Sequence, residues 1–199
     1  MKYNRIAVLD TETTSVYWNS AAPIQIAALI CDNKGNIIDS FNERIKTTHK
    51  IDPEASKVNG IYAKDLVNCR RESEVLTDFC EWMKQNEVDV VLTYNGEAFD
   101  RPMLQCRVKE LKIPFDYFDK DKFPGFDAKE LVFTAKKKGL FGLDELGRKW
   151  KLTLVAEKMG FNTEGAHDAL VDVMMLKNVF FTLDPLINPD HWNSETSLF

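Results

Sequence analysis

RIAVLD, residues 5–10, constrains this chain more than any other stretch. It is a short, near-continuous apolar run bounded by polar residues. That pattern predicts a strand buried on both faces, at the centre of a sheet. Its exit is unusual, because LDTETT places Asp10 and Glu12 where the strand leaves the core. Residues i and i+2 of a strand share a face, so these two carboxylates can converge.

The neighbouring sequence supplies the rest of a sheet. PIQIAALICD (23–32) predicts a second strand, DNKGN a turn, and NIIDSFNERIK (36–46) a third, together an antiparallel meander of three strands. IDPEASKVNG (51–60) predicts a helix, with Pro near its start and Gly at its end. ESEVLTDFCEWMKQ (72–85) predicts an amphipathic helix behind a Ser73 cap, with Val75, Leu76, Phe79, Trp82 and Met83 on one face. VDVVLTY (88–94) predicts another buried strand and FDRPMLQCRVKEL (99–111) a helix. FPGFDA (123–128) is a weak strand or turn. AKELVFTAKKKG (128–139), LDELGRKW (143–150) and ALVDVMMLKNVFFTL (169–183) predict further helices. The order fits an α/β fold: a mixed sheet of three antiparallel strands plus parallel strands, flanked by helices on both faces. Residues 1–184 form the expected domain and 185–199 a tail.

Charge and cysteine content narrow the function classes. The net charge of −5 argues against a non-specific nucleic-acid coat, while leaving room for an enzyme that holds a few nucleotides. The four cysteines are widely spaced without a CxxC pair, so reduced thiols are expected and a zinc site is not. No apolar run reaches the length of a membrane span and the start lacks a leader pattern, so the cytoplasm is the expected compartment.

Acids recur where the chain leaves or edges the core. Asp100 follows the VDVVLTY strand, and Asp172 sits inside the apolar helix of GAHDALVDVMML. Taken singly, each has an ordinary reading. DTET can be a solvated strand end, Asp100 a helix-start residue, Asp168 an N-cap, His167 a packed histidine, and Lys136–Lys138 a solvated helix end. Taken together, Asp10, Glu12, Asp100 and Asp172 would bring about four negative charges into one cleft and repel one another unless cations compensate. Two hard divalent ions, Mg²⁺ or Mn²⁺, suit an oxygen-only ligand set and a phosphodiester displacement. His167 stands just before the helix that carries Asp172, on a segment after Gly160 and Gly165. It is a sensible general base for a water, because imidazole titrates near neutrality.

With these residues in place, the sequence resembles the DEDD exonucleases of the DnaQ-like superfamily, which include polymerase proofreading subunits and RNase T. LDTETT is similar to the first motif of that family, TYNGEAFDRPML to the second and GAHDALVDVMML to the third. His167 stands five residues before Asp172, the spacing of the histidine (DEDDh) subtype, and IDPEASKVNGIYAKDL resembles the segment leading into the substrate cleft. The match runs from about Ile6 to Leu183. It implies an RNase H-like fold, two metal ions and 3′→5′ removal of mononucleotides. It implies that Thr13, Val58, Asn59, Tyr94 and Asn95 lie near the terminal nucleotide. The chain departs from the family pattern at Ser15 (commonly Gly), Gln25 (commonly Glu) and Asn59 (frequently His).

The expected activity is a metal-dependent 3′→5′ exonuclease acting on DNA ends in replication proofreading or repair. An exoribonuclease and a non-catalytic nucleic-acid-binding module are the alternatives, and the His–Asp spacing disfavours an RNase H-like endonuclease. ETSLF (195–199) resembles the peptide by which bacterial replication proteins dock on the sliding clamp, with Glu195 in place of Gln. Leu198 and Phe199 would fill the apolar pocket. The partners expected are thus a nucleic-acid 3′ end and a sliding clamp or DNA polymerase.

Overall fold

The computed structural model describes residues 3–191; Leu198 and Phe199, with the rest of the ETSLF peptide, lie outside the described residues. Six strands form one mixed sheet: β1 (Ile6–Thr13), β2 (Pro23–Cys31), β3 (Ile37–Lys46), β4 (Arg70–Arg71), β5 (Val90–Thr93) and β6 (Gly125–Asp127), in the spatial order β4-β3-β2-β1-β5-β6. β1, β2 and β3 pair antiparallel, whereas β5 runs parallel to β1 and β6 parallel to β5. The expected mixed sheet is present, and RIAVLD lies at its centre.

Alternation along β1 explains both the core and the site. Ile6 and Val8 point to one face, against Val173, Leu176 and Val179 of α6 (Ala169–Ile187) and against α4 (Ala128–Lys137). Ala7 and Leu9 point to the other, against α2 (Glu72–Gln85) and α3 (Asp100–Glu110). All four β1 residues are within 1% of complete burial. Burying an aliphatic side chain of this size contributes roughly 1.5–3 kcal/mol, so the run is held firmly on both sides. The same parity carries past Val8 and brings Asp10 and Glu12 onto the α6 face.

Several boundaries differ from the sequence expectation. α2 starts at Glu72, and its entry is fixed by the Arg71 N–H donating to the Glu74 carboxylate (2.9 Å); Ser73 is already in the first turn and caps nothing. LDELGRKW does not form a helix to residue 150. A 3₁₀ segment, Leu140–Leu146, is broken by positive φ at Phe141 (55°) and Gly142 (67°), and a separate two-turn helix, α5 (Leu152–Lys158), follows it. Lys136 is no solvated helix end. It is buried, donates to the Gly147 carbonyl at 2.5 Å and lies 4.1 Å from the Trp150 ring centre. Folding the 140–150 segment back over α4 is what covers it. α6 continues through Pro185 to Ile187, because α4 and β6 still offer it apolar partners such as Phe126 beside Phe180.

Among the described residues no helix is long and apolar enough to cross a membrane. All four cysteines are free thiols.

Candidate active site

Three elements deliver the acids to one end of the sheet. Asp10 and Glu12 come from the second half of β1, and Asp172 from the first turn of α6. One carboxylate oxygen from each lies within 4.8 Å of the others. Asp100 reaches the same end from the opposite face, at the start of α3. The hydroxyl of Thr11, which points away from the α6 face, donates to its Oδ1 at 2.5 Å. Asp100 therefore adjoins the three-acid cluster without being part of it.

Burial and mutual repulsion act together on these groups. Burial holds the Asp10 carboxyl well above the usual carboxylate range, and the charges of Asp100, Asp172 and Glu12 add to that. Burial, then Asp172, pushes Glu12 up to about 8. Asp100 is pushed up to about 6 by burial, against the opposing hydrogen bond from Thr11. Asp172 is raised too, chiefly by burial, against the opposing His167 N–H. Burial thus holds all four carboxyl groups toward the protonated form, and Asp10 and Glu12 also feel the charges of the other acids of the set, a balance that a bound cation would reverse. The donor set fits a hard divalent cation.

His167 adopts φ 73°, a conformation unfavourable for a residue with a side chain, and its N–H donates to Asp172 Oδ1 at 3.2 Å. Its backbone is thus tied to Asp172. Asp168 is the N-cap of α6, accepting from the Leu170 N–H at 3.0 Å, as its position predicted.

The structure places most of the other predicted residues near the acids. Val58, Tyr94 and Asn95 line a cavity of about 440 Å³ together with Asp10, His167 and Asp172. Tyr94 is held by its hydroxyl on the Trp150 carbonyl. Asn59 lies beside Glu12: its side-chain oxygen accepts from the Ile61 N–H (3.0 Å), which leaves the amide group to hydrogen-bond the Glu12 carboxylate. Thr13 is not on the cavity lining, and its hydroxyl donates to the Ser15 carbonyl (2.9 Å); the side-chain oxygen of Asn95, which is on the lining, accepts from Lys129 (2.8 Å). Those two polar groups already have protein partners.

Sequence reasoning missed Thr11, Trp150 and Lys129. Thr11 carried a faint signal, as the odd residue between two acids on a strand; Trp150 and Lys129 carried none. Gln25 was noticed only as a departure. It is buried opposite Glu12 in the β1–β2 register and bridges Asn42 (3.0 Å) and Asp168 (3.2 Å) through its amide group. A glutamate at this position would lose that donor and add a further charge next to Glu12.

The sequence profile of the RNase_T exonucleases matches residues 7–180. The chain belongs to this exonuclease family. The exonuclease is 30% identical over 176 residues to the DNA polymerase III subunit epsilon of Treponema pallidum, across 87% of this chain and 74% of that protein. It is 27% identical over 173 residues to the PolC-type DNA polymerase III of Thermotoga petrophila, where the match covers 87% of this chain and 11% of the polymerase. Family and relatives together make it a 3′→5′ exonuclease of the DnaQ-like kind. Its fold is shared with E. coli ExoI in its zinc-bound complex with ssDNA (TM-score 0.79, 18% identity, 96% of this chain and 42% of ExoI). A 3′-exonuclease that recognises the histone mRNA stem-loop shares it as well (TM-score 0.68, 18% identity, 90% of this chain and 63% of that one).

Proposed function

We propose that this exonuclease removes nucleotides from the 3′ end of single-stranded or frayed DNA, with Asp10, Glu12, Asp100 and Asp172 as ligands for two divalent ions, Mg²⁺ or Mn²⁺, and His167 as general base. The observation that carries the proposal is the convergence of Asp10, Glu12 and Asp172 within 4.8 Å, with Asp100 adjoining and His167 on the same cavity. When bound, two such ions stabilise the charge that develops on the attacking and leaving oxygens of a phosphodiester displacement.

The chain's own residues supply the rest. His167 takes the proton of the attacking water as the water oxygen bonds to phosphorus. The bond from phosphorus to the 3′ oxygen of the preceding nucleotide breaks, releasing one mononucleotide. Asp172 orients His167 through the backbone N–H it accepts, so base and ligand keep a fixed spacing. The Thr11 hydroxyl aims Asp100 at the cluster. Asn59 supports Glu12. Val58 and Tyr94 give the cavity apolar walls for a terminal sugar and base, with Asn95 also on its lining and Thr13 outside it.

The polymerase III relatives support DNA as the substrate and a DNA polymerase as a partner. Docking of Leu198 and Phe199 on a sliding clamp is part of the same reading. It is tested by comparing clamp binding with and without those two residues; equal binding of both forms removes it. The activity is tested by titrating Mg²⁺ against matched DNA and RNA oligomers carrying separate 5′ and 3′ labels. Stepwise loss from the 3′ end of DNA supports the proposal. Faster loss from RNA moves the substrate to RNA, and cleavage of a circular strand indicates an endonuclease.

A further inference from the structure

The turn after β5 carries two residues of the catalytic cavity, Tyr94 and Asn95. Its backbone is unusual. Asn95 has φ 64°, in the left-handed region that residues with a side chain adopt infrequently. The next residue is Gly96, where a Cβ would lie 2.5 Å from that of Thr93, so the chain turns tightly against the end of the strand. Asparagine tolerates the left-handed region better than most residues, but tolerance alone does not select it.

What selects it comes from the junction of β6 and α4. In the β5–β6 register Thr93 lies beside Asp127, the last residue of β6. Asp127 Oδ1 accepts from the Asn95 N–H at 2.7 Å and, as the N-cap of α4, from the Lys129 N–H at 3.0 Å. One oxygen thus joins the turn to the start of α4. From the first turn of α4 the Lys129 ammonium donates to Asn95 Oδ1 at 2.8 Å. An ammonium can only donate, so it fixes which end of the Asn95 amide faces it. The carbonyl oxygen is taken, and the Nδ2 group is what this side chain has left to offer the cavity. Tyr94 is anchored beside it, its hydroxyl donating to the Trp150 carbonyl.

We propose that Asp127 and Lys129 are positioning residues for the exonuclease reaction: together they lock Asn95 so that its Nδ2 group donates to an acceptor oxygen of the terminal nucleotide. Asp127 sets the backbone and Lys129 sets the side chain. The inference rests on the exonuclease reading above, because the donor matters only if a 3′-terminal nucleotide occupies this cavity. Two competing roles are separable from it. Lys129 also lines the cavity, and a direct phosphate contact would make it a binding residue itself. The Asp127 charge also bears on Asp100.

The test is a double-mutant cycle on kcat and KM for Mg²⁺-dependent digestion of dT12 by wild type, Lys129→Met, Asn95→Ala and the two combined. One hydrogen bond to the nucleotide is worth roughly 2- to 12-fold in affinity. Asn95→Ala should raise KM by about that factor, with kcat within about twofold of wild type. Lys129→Met should raise KM in the wild-type background, and by less than about twofold where Asn95 is already alanine, since it acts through that side chain. An equal rise in both backgrounds shows a direct phosphate contact and overturns the proposal, as does an unchanged KM in Lys129→Met. Asp127→Ala should raise KM as well. Asp127→Asn should restore it, because the amide keeps the Oδ1 acceptor for both N–H groups and drops only the charge. Equal impairment of Asp127→Asn and Asp127→Ala overturns the proposal. Each of these contrary results leaves the exonuclease reading standing. Failure of wild type to digest the oligomer in Mg²⁺ overturns that reading and the proposal with it.

Discussion

Replacing Glu12 by glutamine separates what this carboxyl does to the fold from what it does in catalysis. Without a divalent ion, burial and the Asp172 charge push Glu12 from 4.5 up to about 8. The folded chain therefore keeps a proton that the unfolded chain has released. The resulting loss of stability is absent below about pH 4.5, grows through the interval, and is complete above about pH 8. Each unit of that interval is worth ~1.4 kcal/mol, so wild type loses on the order of 3 kcal/mol between pH 5 and pH 8 through this one group. The Glu12→Gln side chain cannot ionise and escapes the loss. In a domain of about 200 residues, ~3 kcal/mol corresponds to roughly 6–12 °C of Tm. Thermal unfolding in EDTA at the two pH values measures it. The Tm of wild type should fall by about that much more than the Tm of Glu12→Gln, whose exonuclease rate should be reduced by at least ~10²-fold. Mg²⁺ at pH 8 should raise the wild-type Tm more than that of the variant. Parallel Tm curves for the two proteins across this pH range would refute the claim that Glu12 is held in a repulsive, desolvated cluster.

His167→Gly removes the proposed base and relieves the positive φ of 73°. Turnover should drop by ~10²–10⁴-fold while denaturant unfolding shows stability equal to wild type or higher by up to ~1 kcal/mol. Gln25→Glu should lower the metal-free stability by ~1–3 kcal/mol, since it loses the donor to Asp168 and Asn42 and adds a charge beside Glu12; urea unfolding in EDTA gives the value. Arg101 is 1% exposed, pairs with Glu97 at 2.6 Å and donates to the carbonyls of Phe123 and Tyr117. Arg101→Met should cost ~3–5 kcal/mol by leaving these acceptors unpaired, again visible in urea unfolding.

The sheet and the acids were legible for one reason: both depend on local pattern. The four apolar residues before Asp10 demanded a two-faced strand, and the period of two then fixed Asp10 and Glu12 on a common side. The apolar faces of α6 made Asp172 stand out. The capping oxygen of Asp168 follows from its place one residue before Ala169. What escaped depended on contacts between distant segments. Thr11 holds Asp100 across 89 positions in sequence, and Trp150 supports Tyr94 across 56. Lys136 read as solvated because the cover over it comes from residues 147–150, a segment whose positive-φ kink at Phe141 and Gly142 no periodicity announces. α5 has only two turns, too few for a helical period to separate from alternation. Ser73 lost the cap because the Arg71–Glu74 bond sets the helix start two residues earlier.

The central claim is that four converging acids serve 3′-end hydrolysis by holding divalent ions. It is tested most directly by digesting a 3′-labelled single-stranded DNA oligomer with wild type and Asp172→Asn, each in Mg²⁺ and in EDTA. The account predicts release of labelled mononucleotides by wild type in Mg²⁺ alone, with Asp172→Asn reduced by at least ~10²-fold. Release at the same rate in EDTA, or an undiminished rate in Asp172→Asn, would contradict it.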